Sequence, residues 1–295
     1  MQGENSPTVR WEEMFPDQLL SAIKETPICY AAYGLAEPHG PYNALGLDWL
    51  KARSLVEMAA REHGGVVAPP CAWHVQEQPH FDWVASQKIS QSLASSIPGD
   101  LFLRLVLYQI RAMDARGFHA GVLITGHYGG LEEDMRLLCE YYVRRTGSPI
   151  KLLAAADGEV IRFEDYRGDH AGVCETSQLM ALMPDLVDLS QTEKDSKSGP
   201  WAGMAFPDDK VRTPNRELGE KIVASQIANL GEVKEFLLES YEPRVGWKAP
   251  DLTETEDVWH RFERATRKYW MLSSCMPEFT EGLKPPFPGW ESLGE

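Results

Sequence analysis

The middle of this chain predicts an α/β domain whose sheet is at least partly parallel. Two observations carry that expectation. Short apolar runs of strand length alternate with longer segments whose apolar residues recur at helical spacing. Strand, helix and strand at this length make βαβ units, whose strands lie parallel through a right-handed crossover. Composition agrees: of 295 residues, 43% are hydrophobic and 25% charged. That is ordinary for a globular chain and excludes disorder, collagen or a coiled coil as a whole-chain description.

Residues 28–35 are short and apolar, as a buried strand requires. Residues 51–63 read as a helix, with Gly64 and Gly65 as its stop. Residues 66–68 start a short strand that Pro69 and Pro70 end. From Pro98 to Gly117, Leu103, Val106, Leu107, Ile110 and Met113 share one helical face. Asp100 is placed to cap that helix and Gly117 to end it. Residues 120–125 are the next strand, Leu131, Met135, Leu138 and Tyr142 mark the next helix, up to Gly147, and 150–156 is a further strand. A helix follows from about Glu175 to Met183, before Pro184. Residues 190–210 read as a long polar loop, and Thr213-Pro214 opens a helix to about 240. Thr253 and Glu256 form a capping box for a last helix carrying Trp259, Phe262 and Tyr269, and an irregular tail runs from Pro277. The expected organisation is one α/β domain over 1–250, with 251–295 as a helical and irregular extension packed on it.

Charge and targeting signals narrow the function. With 29 Lys and Arg against 44 Asp and Glu, the net charge is −15. That is the wrong sign for nucleic acid or an anionic membrane. No apolar run reaches the length of a transmembrane helix, and the first residues carry no secretory signal. The five cysteines, Cys29, Cys71, Cys139, Cys174 and Cys275, are odd in number and widely spaced. They suit reduced thiols in a cytoplasmic protein better than a disulfide framework.

Three clusters carry chemistry. Glu37-Pro38-His39-Gly40-Pro41, followed by Asp48, supplies side chains competent to bind a divalent metal. Glu37 and His39 point the same way if that stretch is extended. Thr125-Gly126-His127-Tyr128-Gly129-Gly130 follows a strand, with glycines that let backbone approach a ligand. Asp169-His170-Ala171-Gly172 leads to Glu175 in the first turn of a helix. All three lie beyond the carboxyl ends of strands, where open α/β sheets place their sites. Each also has a plainer reading, as a turn histidine or a carboxylate complementing a helix N-terminus. Of the other histidines, His63 and His119 read as surface or helix-end residues and His260 as part of an amphipathic helix. His74 and His80, among Trp73, Phe81 and Trp83, belong to a stretch that lines a pocket or packs, with packing the favoured reading.

The order of these motifs resembles the creatininase (creatinine amidohydrolase) family. Glu37-x-His39-Gly40-Pro41 with Asp48 nine residues after His39 is similar to that family's opening signature. Ile97-Pro98-Gly99-Asp100 resembles its Phe-Pro-Gly-Thr segment, and Gly126-His127-Tyr128-Gly129-Gly130 its Asn-Gly-His-Gly-Gly-Asn motif. The run from His170 to Ser177 resembles its His-Ala-Gly-x-x-Glu-Thr-Ser motif. The match covers residues 26–190. The resemblance implies a three-layer α/β/α sandwich with a mostly parallel sheet, a homo-oligomer that is often a hexamer, and a hydrolase with two divalent ions (Zn, Mn or Fe). It makes Glu37, His39, Asp48, His127 and Glu175 metal ligands, with Asp48 bridging, and His170 the general acid-base residue. Tyr128 and Gly129 would bind substrate, and Gly129 and Gly130 would offer backbone N–H groups to a developing oxyanion.

The expected reaction is cleavage of a C–N bond in a small cyclic amide, amidine or formamide by a metal-activated water. One alternative is ring opening of a cyclic sugar ketone, such as an inosose. Another is a non-catalytic metal-binding relative. The sequence departs from the family at several places. The creatinine-hydrolysing branch has Glu after its His-Tyr pair, where this chain has Gly129. Thr125 replaces the usual Asn. Tyr42-Asn43-Ala44 and Leu47 differ from the usual His-Leu-Pro and Thr.

Overall fold

Four strands form one sheet in this computed structural model, which describes residues 8–75, 94–127, 130–162, 166, 168–193 and 214–270. They are β1 (Ile28–Tyr33), β2 (Val66–Val67), β3 (Ala120–Thr125) and β4 (Lys151–Ala156), in the order β2-β1-β3-β4. Every neighbouring pair is parallel, with Ile28 opposite Ala120 and Ala120 opposite Lys151. The helices are α1 (Pro16–Glu25), α2 (Leu47–His63), α3 (Gly99–Arg116), α4 (Leu131–Thr146), α5 (Val173–Leu182), α6 (Arg216–Glu239) and α7 (Leu252–Thr266).

Strand periodicity splits the core in two. Cys29, Ala31 and Tyr33 face a cluster built with α3, α4 and α7. Ile28, Tyr30 and Ala32 face another built with α2 and α6. The result is the expected α/β/α sandwich. Both faces of β1 and β3 are covered, which is why these strands read as apolar throughout instead of alternating. On α3 the stripe is Phe102, Leu103, Val106, Leu107, Ile110 and Met113, all buried. At about 1.5–3 kcal/mol for each large side chain removed from water, that face fixes the helix to the sheet.

Several boundaries differ from the sequence reading. Helix α2 begins at Leu47, four residues before the predicted start, because its first turn buries Asp48 and Lys51 and so breaks the apolar pattern. Asp100 does not cap α3. Pro98 holds the cap position, and Asp100 sits inside the first turn, where its carboxylate still complements the helix N-terminus. Gly117 ends α3 in the left-handed region, as expected. Asn215 caps α6 by accepting the Leu218 N–H at 2.9 Å. The capping box of α7 is Asp251 with Glu254, two residues earlier than predicted. Glu256 instead accepts from the Tyr108 hydroxyl at 2.7 Å. Trp259 and Phe262 are buried, but Tyr269 is exposed. Helix α1 had no counterpart in the sequence reading; it rests only half-buried residues on the core, among them Leu19 and Ile23.

Thr213, His80, Phe81, Trp83, Cys275, the tail from Pro277 and most of the loop 190–210 lie outside the described residues. Cys29, Cys71, Cys139 and Cys174 are buried and form no disulfide among the described residues. Among the described residues no helix is long and apolar enough to cross a membrane.

Candidate metal centre

The carboxyl edge of the sheet gathers the chemistry. Glu37 and His39 lie in the loop after β1, and His127 stands two residues past β3. Asp48 is in the first turn of α2 and Glu175 in the first turn of α5. Two glycines deliver Asp48. Gly34 and Gly126 each follow strand ends that are directly paired, Tyr33 opposite Thr125. A Cβ at Gly34 would stand 2.4 Å from the Trp49 N, and one at Gly126 would stand 2.1 Å from the Asp48 O. The first turn of α2 therefore slots between two strand ends that carry no side chain at that point.

The five side chains predicted as ligands meet. Asp48 lies between the two histidines: its Oδ1 is 3.1 Å from His39 Nε2, and its Oδ2 is 3.1 Å from His127 Nδ1. Glu37 Oε1 is also 3.1 Å from His127 Nδ1, and Glu175 Oε2 is 3.6 Å from His39 Nε2. Glu37, Asp48 and His127 form one set of three donors within 4.8 Å of one another, and His39, Asp48 and Glu175 form a second. Asp48 belongs to both. Glu37, His39, Asp48 and Glu175 are each at most 2% exposed, and His127 is 5% exposed.

Each member is held from behind. His39 Nδ1 faces the Glu37 carbonyl at 3.0 Å. A carbonyl only accepts, so Nδ1 carries the proton and Nε2 is left for the carboxylates. Glu175 Oε2 accepts the Ala171 N–H at 2.8 Å, and Ala171 is in the left-handed region at φ 54°. Backbone strain at a non-glycine residue is typical of functional loops. Asp169 accepts the N–H groups of Cys174 and Glu175 at 2.8 and 3.0 Å, which secures the start of α5. Thr125 accepts from the His127 N–H at 3.2 Å and donates to its carbonyl at 3.0 Å. His74 Nε2 lies 3.2 Å from the same hydroxyl.

The electrostatics of the cluster call for cations. Burial pushes Glu37 up, but the adjoining His127 outweighs it and brings the carboxyl down to about 2. Burial likewise opposes charge on Asp48, yet His39 and His127 hold it well below the usual carboxylate range. Burial lowers His39, and Asp48 and Glu175 reverse that and raise it to about 9. Burial and the neighbouring His127 bring His74 down to about 3, so it is neutral. Three buried carboxylates around two imidazoles are costly without compensating charge. His39 Nε2, fully buried, makes no hydrogen bond despite its acidic neighbours. Carboxylate oxygens and imidazole nitrogens at these distances fit divalent ions, and the absence of thiolate leaves Zn, Mn and Fe all suitable.

His170 stands at the rim. Its ring stacks on His39 with centroids 4.5 Å apart, and its Nδ1 is 3.9 Å from Glu37 Oε1. Its side chain is 25% exposed, the most open of the six. Tyr128 and Gly129, predicted to bind substrate, lie outside the described residues. Glu37 and His39 do converge, but in a loop without strand structure: each joins Asp48 in a separate buried donor set, and the two meet in a third, half-buried set with His170.

Sequence reasoning missed Lys51 and Asp157. Lys51 is 1% exposed, and its ammonium pairs with Glu175 Oε1 and lies 3.7 Å from Asp157 Oδ2. Burial opposes its charge, but Asp157, Glu175 and Asp48 raise it above the ordinary lysine value. The available signal was a lysine one turn after Asp48, on the face that α2 buries.

Comparison with known proteins points one way. Residues 12–229 match the creatininase family, described as creatinine amidohydrolase. The creatinine amidohydrolase of Pseudomonas putida is 26% identical over 224 residues, which cover 64% of this chain and 82% of that protein. A crystal structure of creatinine amidohydrolase (creatininase) superposes with a TM-score of 0.62 at 21% identity, covering 81% of this chain and all of that one. A mutant creatininase of Zn-Zn type superposes with a TM-score of 0.60 at 21% identity, again over 81% of this chain and all of that one.

Proposed function

This chain belongs to the creatininase family, and from that premise we propose that it is a hydrolase with two divalent ions that cleaves a C–N bond in a small cyclic amide, amidine or formamide. The observation that carries this reading is the pair of buried donor sets sharing Asp48. Glu37 and His127 would hold one ion, His39 and Glu175 the other, and Asp48 would offer one oxygen to each. When bound, such ions polarise the scissile carbonyl and lower the pKa of a water. The chain's own residues supply the rest. His170 Nε2 faces the Pro38 carbonyl at 3.1 Å, so that nitrogen carries a proton and donates it there. Its Nδ1 is then the atom that exchanges a proton with the leaving nitrogen. Its partial exposure lets it re-equilibrate with solvent between turnovers. The buried walls keep bulk water from the carboxylates and strengthen their hold on cations.

Gly129, in place of the glutamate of the creatinine-hydrolysing branch, directs the proposal to a cyclic amide other than creatinine. Four buried cysteines that form no disulfide among the described residues support a reducing, cytoplasmic location. Assembly as a homo-oligomer, a hexamer by family resemblance, belongs to the same proposal, and light scattering tests it.

The primary experiment is elemental mass spectrometry on purified wild type and His127→Ala. Two divalent ions per wild-type chain, fewer in the variant, are expected. The loaded protein is then screened against cyclic amides, with inososes as the competing arm. A wild type that takes up no Zn, Mn or Fe overturns the reading. Bound metal with no turnover on either substrate set points to a non-catalytic relative.

A further inference from the structure

Lys51 stands three residues after Asp48, on the same buried face of α2. One helical turn thus sends Asp48 between the two donor sets and Lys51 to the carboxylate of only one of them. The Lys51 ammonium pairs with Glu175 Oε1, and Glu175 Oε2 is the oxygen nearest His39 Nε2. The lysine stem uses the room that Gly126 leaves, since its Cε lies 3.1 Å from where a Cβ on Gly126 would be.

The contacts continue as a buried polar path that returns to α5. Lys51 reaches Asp157, the first residue after β4. Gln226 on α6 donates its amide to the Asp157 carbonyl at 2.9 Å. Gln178 donates to Gln226 Oε1 at 3.1 Å. Gln178 is one turn beyond Glu175 on α5, so the path returns to the helix it began on. All five side chains are at most 1% exposed. These contacts tie α2, the end of β4, α6 and α5 together at one buried point.

Resting on the reading of Glu175 as a ligand, we infer that Lys51 is a positioning residue: it holds Glu175 Oε1 and so leaves Oε2, the oxygen facing His39, as the one that would serve an ion held with His39 and Asp48. Glu37, the carboxylate at the far side of Asp48, pairs with His127 and lies near His170 instead, so the surroundings of the two donor sets differ. Partners behind a ligand tune metal affinity without touching the metal.

The test is metal affinity, read apart from turnover. Wild type, Lys51→Met, Lys51→Gln and Lys51→Arg are stripped and titrated with Zn²⁺ against a chelator. Cobalt(II) absorption reports the coordination of each position. Lys51→Met is expected to weaken one of the two ions by about 10–100-fold, change one cobalt spectrum and leave the other ion as in wild type. Lys51→Arg, which keeps the charge on a broader head, is expected to restore part of the loss. A folded Lys51→Met with both affinities unchanged overturns the inference and leaves the metal centre itself standing. If Lys51→Met does not fold, Lys51→Gln, which removes the charge but keeps a polar head, decides: zinc binding equal to wild type at both positions makes Lys51 purely structural. A wild type that binds no ion overturns the metal reading and this inference together.

Discussion

His39 sets the pH behaviour of the centre. Without metal, its imidazole lies 3.1 Å from Asp48, and the carboxylates lift it from 6.5 to about 9. A group raised on folding stabilises fully below its unfolded value and loses that contribution as pH climbs through the folded one. Metal-free protein is therefore expected to lose thermal stability between pH 6.5 and about 9. The metal-loaded form needs His39 Nε2 unprotonated, and its ions replace the missing positive charge. The gap in Tm between loaded and stripped protein should widen across that window, which differential scanning calorimetry measures directly. A gap that narrows would remove His39 from the ligand set. His170 behaves differently because it sits at the rim and lends only a proton. His170→Ala is expected to cut kcat by about 10²–10⁴ with metal content unchanged, as steady-state kinetics beside elemental analysis would register. These two histidines stood out in the sequence because each lies in a short motif with a carboxylate nearby. Lys51, Asp157 and His74 did not. They come from α2, the end of β4 and the segment after β2, and only the packed sheet brings them to Glu175 and Thr125.

At the level of elements, the site is made by how α2 enters it. Gly34 and Gly126 leave a slot for the Asp48–Trp49 backbone, and the nearest atoms their Cβ would meet are main-chain atoms that cannot turn aside. Gly126→Ala is expected to cost about 3 kcal/mol or more, the upper end of overpacking penalties, and to lower metal affinity as well. Gly168 gives the control: a Cβ there meets nothing within 4 Å among the described residues, so Gly168→Ala should leave both properties near wild type. Denaturant melts with and without zinc separate the two effects. Equal behaviour of the two variants would mean that α2 tolerates displacement and that Asp48 does not depend on the slot. The sequence displayed both glycines after apolar strands, but a glycine in that place also suits an ordinary turn. Only the register of β1 with β3 pairs them across one helix end. The same limit explains the misplaced helix starts. Asp100 and Thr253 fit the local rules for caps, yet Pro98 and Asp251 hold the positions where the chain turns into α3 and α7. The long apolar stripes of α3 and α4 were readable because periodicity over four turns leaves little freedom in where a helix lies.

For the molecule as a whole, the question is what α7 does. The family match ends at residue 229, inside α6, so α7 lies wholly beyond it. Its apolar face nonetheless joins the core on the α3 and α4 side of the sheet. Trp259, Phe262 and Trp270 are buried there, and Tyr141 of α4 meets Phe262 edge-on with centroids 5.4 Å apart. Polar contacts guide the approach: Arg111 donates to the Pro250 carbonyl at 2.9 Å, and Trp247 to the Thr146 carbonyl at 3.1 Å. We therefore propose that 251–270 is a needed layer of the domain, added outside the family's common region. Phe262→Ala is expected to cost about 3–5 kcal/mol, the range for emptying an aromatic site in a packed core. The ligand residues lie on other segments, so each folded chain of this variant should still bind its full complement of zinc. A chain ending at residue 250 leaves the covered faces of α3 and α4 open to water, and it should aggregate or bind a hydrophobic dye where full-length protein does not. A stable, monodisperse truncated chain with unchanged Tm would show instead that α3 and α4 close the core by themselves, with α7 resting on a surface already complete.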